Sequence, residues 1–160
     1  MKKITISSDF DVFESSDELT AEVKELLNEA VVARDKSYSP YSNFKVGCAI
    51  LLDNNEIITG SNQENASYPA GLCAERTALF YAGAKYPDSR MLKMAISVRS
   101  DKTSIETPVP PCGSCRQAIA EYEVKQESPI EIFFTGEKGK VVKTNAVADL
   151  LPLLFDKSFL

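Results

Sequence analysis

The chain has 160 residues, 44% hydrophobic and 26% charged, with a net charge of −5. These proportions suit one soluble globular domain; they leave no apolar run of the roughly 20 residues a membrane span needs, and no basic stripe for a nucleic-acid polyanion. Histidine is absent and cysteine occurs four times, at Cys48, Cys73, Cys112 and Cys115, so any proton carrier is a carboxylate, cysteine, lysine or tyrosine, and any metal site uses sulfur or oxygen.

The first stretch, "MKKITISSDFDVFESS", has two lysines with no apolar segment behind them. It does not read as a secretory signal, and a cytoplasmic location is expected. A disulfide framework is unexpected there. Residues 1–15 are weakly patterned and read as an arm in front of one domain, 16–160. "SSDE" at Ser15–Glu18 fits a capping box. Behind it Leu19, Val23, Leu26, Leu27, Ala30 and Val31 recur at helical spacing, predicting an amphipathic helix to about Arg34. "SYSPYSNF" is a loop. "KVGCAILLD" and "EIITGSN" are strands turning at Asn54-Asn55. A helix is expected from about Ala74 to Ala84, then a buried strand at "MLKMAISVR". "TPVPPCG" is a rigid loop leading into the helix "SCRQAIAEYE". "PIEIFFTG" and "VVKT" are strands around the turn "EKGK", and "NAVADLLP" is a short last helix with Asn145 as its cap. Alternating helices and strands indicate a layered α/β domain with a mixed sheet.

Three cysteines precede or open helices. Cys112 and Cys115 form C-x-x-C in "PPCGSCRQ". That spacing is read as a redox pair, as half of a zinc site or as chance. Unpaired N–H groups and the positive dipole end at a helix N-terminus favour thiolates. Cys73, in "GLCAERTALF", sits in the same electrostatic setting. Three thiolates from two helix starts make a three-ligand zinc site of the catalytic kind, which leaves the fourth position to water. Three thiolates also weaken the metal as a Lewis acid. Arg76, on the same turn as Cys73, is placed to donate to the sulfurs and offset that charge. Glu75, too close in sequence to serve as a ligand without strain, is the natural proton shuttle where histidine is lacking.

"CAE", followed 39 residues after its cysteine by "PCGSC", resembles the zinc-dependent cytidine deaminases, with Cys73 in the position of a histidine ligand. "YSPYSNFKVG", "GSNQENASYPAGLCAER" and "PPCGSCRQ" resemble the small, three-cysteine, free-nucleoside branch, over about residues 20–156. The resemblance implies a three-layer α/β/α cytidine deaminase-like fold with a mixed five-stranded sheet. It implies one zinc per chain on Cys73, Cys112 and Cys115, with Glu75 moving the protons. Phe44 would pack on the base, Asn62 and Glu64 would hold the ribose 3′-hydroxyl, and the Ala74 N–H would bind the pyrimidine O2. Phe155 would reach a neighbouring subunit's site in a homotetramer with shared active sites.

Each residue has a plainer reading. Cys48, in an apolar strand, reads as a small buried hydrophobe rather than a ligand. Phe44 and Phe155 could be core aromatics, Asn62 and Glu64 an ordinary polar loop, Arg76 a surface ion pair, and the cysteines a structural site. The chain is longer than the compact members of the branch, at the arm and around "AKYPDSRMLK". The function expected is hydrolysis of cytidine and 2′-deoxycytidine to uridine and 2′-deoxyuridine with release of ammonia, in pyrimidine salvage. The partner is a small pyrimidine nucleoside, without nucleic acid or membrane. A deaminase of aminopyrimidine nucleoside antibiotics, a non-catalytic zinc-stabilised module and a C-x-x-C redox protein are the competing readings; Glu75 beside a ligand speaks against the last two, because neither needs a carboxylate there.

Overall fold

The computed structural model describes residues 1–160, and its elements follow the periodicities of the sequence. The helix predicted to end at Arg34 is α1 (Ala21–Arg34). Its cap is Thr20, whose Oγ1 accepts from the Val23 N–H, whereas Ser15 caps only a separate 3₁₀ turn at Ser16–Glu18. The predicted hairpin is β2 (Phe44–Leu52) and β3 (Ile57–Ser61), with Asn55 at φ 65° in its turn, the left-handed region that asparagine tolerates. Then come α2 (Ala74–Lys85), β4 (Met91–Ser100), α3 (Gly113–Gln126), β5 (Glu131–Thr135) and β6 (Val141–Thr144). The expected last helix is one 3₁₀ turn, Val147–Asp149, preceded by Ala146 rather than capped by Asn145. No helix is long and apolar enough to cross a membrane.

The sheet has six strands rather than five. The extra one comes from the arm: Asp11–Phe13, labelled β1, pairs antiparallel with β6, Phe13 opposite Val141. The strand order is β1-β6-β5-β4-β2-β3, and only β4 and β5 are parallel, joined across α3.

Strand alternation separates two cores. Cys48, Ile50 and Leu52 of β2 point to one face, with Ala74, Ala78 and Leu79 of α2 and Ile119 of α3. Ala49 and Leu51 point to the other, with Leu26, Leu27 and Ala30 of α1. The result is three layers: α1, the sheet, then α2 with α3. Leu79 and Ile119 are fully buried, each worth about 1.5–3 kcal/mol, and they seat the two helices whose first turns carry the cysteines. Gly60 fixes how closely α2 approaches. A Cβ there would lie 2.5 Å from the Ala78 nitrogen, so any other residue would push α2 off β3. Gly47 does the same for α1, where a Cβ would fall 1.9 Å from the Ala30 carbonyl oxygen.

Candidate active site

The starts of α2 and α3 converge on one side of the sheet. Cys73 is the N-cap of α2 and Cys112 the N-cap of α3, and neither helix has a side-chain capping hydrogen bond. Cys115 lies in the first turn of α3. The helix ends therefore offer free N–H groups to sulfur instead of to a Ser or Asp cap. Cys73 Sγ is 3.9 Å from Cys112 Sγ, and Cys112 Sγ is 3.4 Å from Cys115 Sγ; all three sulfurs lie within 4.8 Å of one another. A tetrahedral zinc with Zn–S near 2.3 Å would set its sulfurs about 3.8 Å apart. The donor set and its spacing fit zinc. Cys48 lies outside the cluster, fully buried in the core, where burial pushes its thiol well above the usual range, with Glu75 adding to the effect.

Charge is sharply divided within the cluster. The Cys115 thiol, donating to it, lowers the pKa of Cys73 to about 5; burial opposes this, while Arg76 and Cys112 add to it. Cys115 moves the other way, raised first by its hydrogen bond to the Cys73 thiolate and then by burial. Arg76 Nη2 lies 3.8 Å from Cys73 Sγ, and its guanidinium pKa is raised by that same thiolate. Arg76 Nε is buried without a hydrogen-bond partner. Glu75 is 4% exposed. Burial lifts its carboxyl above the usual carboxylate range, although its own backbone N–H favours the ionised form; the Cys73 charge lifts it further. Thr77 Oγ1 donates to the Cys73 carbonyl at 3.1 Å, which fixes the turn that carries all three side chains.

Beside the cluster opens a cleft of about 500 Å³, with Cys73, Arg76, Asn62, Glu64, Tyr41 and Tyr68 among the residues of its wall. Glu64 Oε2 accepts the Tyr41 and Ser42 N–H groups at 2.9 and 3.3 Å. Desolvation opposes its ionisation, but the Ser42 hydroxyl and those two amides outweigh it and hold the carboxyl below the usual range. Asn62 is buried, and both ends of its amide engage β2: Oδ1 accepts from the Val46 N–H at 2.8 Å, and Nδ2 donates to the Phe44 carbonyl at 2.9 Å. One lone pair and one N–H remain to it. Glu64 and Asn62 thus hold the segment 41–46 as well as facing the cleft. Phe44, Ala74, Glu75 and Phe155 are not in the wall of the cleft. Phe44 is half-buried at the start of β2. The Ala74 N–H lies in the first turn of α2, without an intrahelical acceptor. Phe155 is exposed and stacks on Phe159 at 5.7 Å between ring centroids.

Residues that sequence reasoning missed tie the tail to the cluster. Gln117 Nε2 donates to the Phe155 carbonyl at 2.8 Å, and Arg116 donates to the carbonyls of Pro111 and Leu150 at 2.7 and 2.6 Å. Their only signal was adjacency to Cys115.

Residues 20–128 match the family model described as the cytidine and deoxycytidylate deaminase zinc-binding region. The chain belongs to that family. Among deaminases of known name, the cytidine deaminase of Sporosarcina psychrophila is 40% identical over 136 residues, covering 85% of this chain and 93% of the relative. That of Halalkalibacterium halodurans is 50% identical over 96 residues, 60% of this chain and 68% of the relative. The crystal structure of cytidine deaminase from Burkholderia pseudomallei superposes with a TM-score of 0.71 at 38% identity, covering 86% of this chain and all of that one. In this deaminase two of the family motifs, "GLCAER" and "PPCGSCRQ", meet at the first turns of α2 and α3, and the third, "YSPYSNFKVG", runs past the cleft wall at Tyr41 and Ser42 into β2.

Proposed function

We propose that the chain is a zinc-dependent cytidine deaminase, a hydrolase that converts cytidine and 2′-deoxycytidine to the uridine nucleosides and ammonia. The observation that carries this reading is the convergence of three sulfurs from two helix starts, with a buried carboxyl on the same turn. Cys73, Cys112 and Cys115 would hold one zinc per chain, a Lewis acid that makes water nucleophilic near neutral pH. Arg76 offsets the thiolate charge. Glu75 takes the first proton of the attacking water and passes it to ring N3 as the bond to C4 forms; it then carries the remaining hydroxyl proton of the adduct to the amine, which leaves as ammonia as the C4–N bond breaks and the C4 carbonyl forms. Its burial suits this cycle, since a carboxyl held above the usual range both accepts and returns a proton. Glu64 and Asn62 face the cleft as acceptor and donor for a sugar hydroxyl, which favours a nucleoside over a free base. Phe44 flanks the base and the Ala74 N–H takes its O2. Phe155, exposed and tethered through Gln117, completes a neighbour's site in a cytoplasmic homotetramer of pyrimidine salvage, built from one deaminase domain over 16–160.

The test is ultraviolet absorbance of cytidine incubated with the purified protein, with ammonia release and metal content measured on the same sample. Stoichiometric conversion to uridine is expected. A zinc-loaded protein that leaves cytidine and deoxycytidine unchanged would overturn the reading.

A further inference from the structure

The arm alternates in a way that this chain alone does not use. From Lys3 to Val12 the odd positions are Lys3, Thr5, Ser7, Asp9 and Asp11, and the even ones are Ile4, Ile6, Ser8, Phe10 and Val12. That is the period of a strand with one buried face. Yet only Asp11–Phe13 is paired, and the apolar side chains lie open: Ile4 is 79% exposed, Ile6 51%, Phe10 42% and Val12 55%. β1 is also an edge of the sheet, so its outer N–H and C=O groups are free to pair with another strand. The family match begins at residue 20, downstream of this whole segment.

We infer that the arm pairs with the arm of a second copy of this chain, antiparallel, in a two-fold register centred on Ser7. Charge picks the partner and the direction. The arm starts basic, at Lys2 and Lys3, and ends acidic, at Asp9, Asp11 and Glu14. Antiparallel self-pairing sets each basic end against the other copy's acidic end, whereas parallel pairing sets like charges together. The pleat limits the register to centres on a residue, and the pairing of charged ends selects among them. Directly opposed residues share a face, so even positions must oppose even positions. Centring on Ser7 puts Lys3 opposite Asp11, Ile4 opposite Phe10 and Ile6 opposite Ser8. The ladder then runs onto the open edge of β1 and joins the two sheets. Interfaces of this kind are isologous and close on themselves.

Two measurements on the full chain test this. The first is hydrogen exchange of the native protein. In an antiparallel ladder about half of the amides of residues 3–11 are bonded, and these are expected to exchange at least about tenfold more slowly than in the free peptide. The second is cross-linking under oxidised glutathione of two variants in the exposed arm, Ser7→Cys and Asp9→Cys. In the inferred register the Ser7→Cys thiols of the two copies are directly opposed, whereas the Asp9→Cys thiols sit on backbone positions about 14 Å apart, beyond disulfide reach. Covalent dimer from Ser7→Cys, well above the wild-type background and absent from Asp9→Cys, is the result expected. Free-peptide exchange throughout the arm would overturn the inference. So would equal cross-linking of the two variants, which marks loose collision, and so would a protected arm without Ser7→Cys dimer, which places the apolar stripe on some other surface.

Discussion

Glu75 and Cys73 are separated by one residue and pushed in opposite directions: the thiol's pKa is lowered, while burial lifts the carboxyl above its usual range. The first turn of α2 produces both conditions, because the N-cap faces the free amides while the next turn position faces the core. Replacing Glu75 with Gln keeps volume and hydrogen bonding but would remove the proposed proton cycle. The variant is expected to bind zinc and nucleoside while losing turnover by about 10²- to 10⁴-fold; a zinc-replete variant within a few fold of wild type would remove Glu75 from the mechanism. Arg76 acts through Cys73, which its Nη2 reaches at 3.8 Å. Arg76→Ala is expected to retain zinc in part and to lose about 10- to 100-fold in turnover. Wild-type turnover in a folded Arg76→Ala protein would leave the arginine a packing role only. That Cys73, Glu75 and Arg76 would share one turn was legible in the sequence, because it depends on neighbours within a single helical turn.

At the level of elements, what was legible is what is local. The 3.6-residue period of α1, the Asn54-Asn55 turn and the C-x-x-C at the start of α3 each depend on a few adjacent residues. The place of β1 in the sheet was not legible, because its pairing joins Asp11 to Lys143, and no pattern within either segment names the other. The tie at the far end of α3 was hidden for the same reason. Glu123 Oε1 accepts the Ile130 N–H at 2.9 Å and the Val147 N–H at 3.0 Å, anchoring the end of α3 to the start of β5 and to the last 3₁₀ turn. Glu123→Ala leaves two amides without an acceptor and is expected to cost about 2–6 kcal/mol, at about 1–3 for each orphaned group. Glu123→Gln keeps an acceptor and is expected to recover most of that. The two differ from wild type in pH dependence as well. Burial raises the Glu123 pKa, against the pull of its two amide donors. A carboxyl raised in the folded state gives its full stabilisation below its unfolded pKa and loses it as pH rises through the folded value. Wild type is therefore expected to lose stability relative to Glu123→Gln between the ordinary carboxylate range and neutrality. Denaturant midpoints measured across that interval check it, and parallel curves for the two proteins would count against a raised Glu123.

For the whole molecule, the proposed metal site would join parts that the sequence keeps far apart. Cys73 opens the helix after the β2–β3 hairpin and Cys112 the helix after β4, so a metal bound by both fixes α2 against α3 at the end where the cleft opens. Apart from a metal, the two helix starts are tied only by weak sulfur contacts such as Cys73 Sγ to Cys112 Sγ at 3.9 Å and by packing deeper in the layer, around Leu79 and Ile119. Metal binding to the folded state alone adds stability as RT ln(1 + [L]/Kd), about 4 kcal/mol at a thousandfold excess over Kd. In a chain of this size 1 kcal/mol moves the melting temperature by about 2–4 °C. Chelation under reducing conditions is thus expected to lower the melting temperature by roughly 8–16 °C, and restored zinc to bring it back. Cys112→Ala, which removes an exposed member of the proposed ligand set, is expected to melt near the chelated wild type and to respond little to chelator. The comparison belongs at one protein concentration, because association of copies also shifts melting. Wild type stripped of zinc yet melting at its original temperature would show that packing alone holds α2 against α3, and would separate the role of the metal in chemistry from any role in the fold.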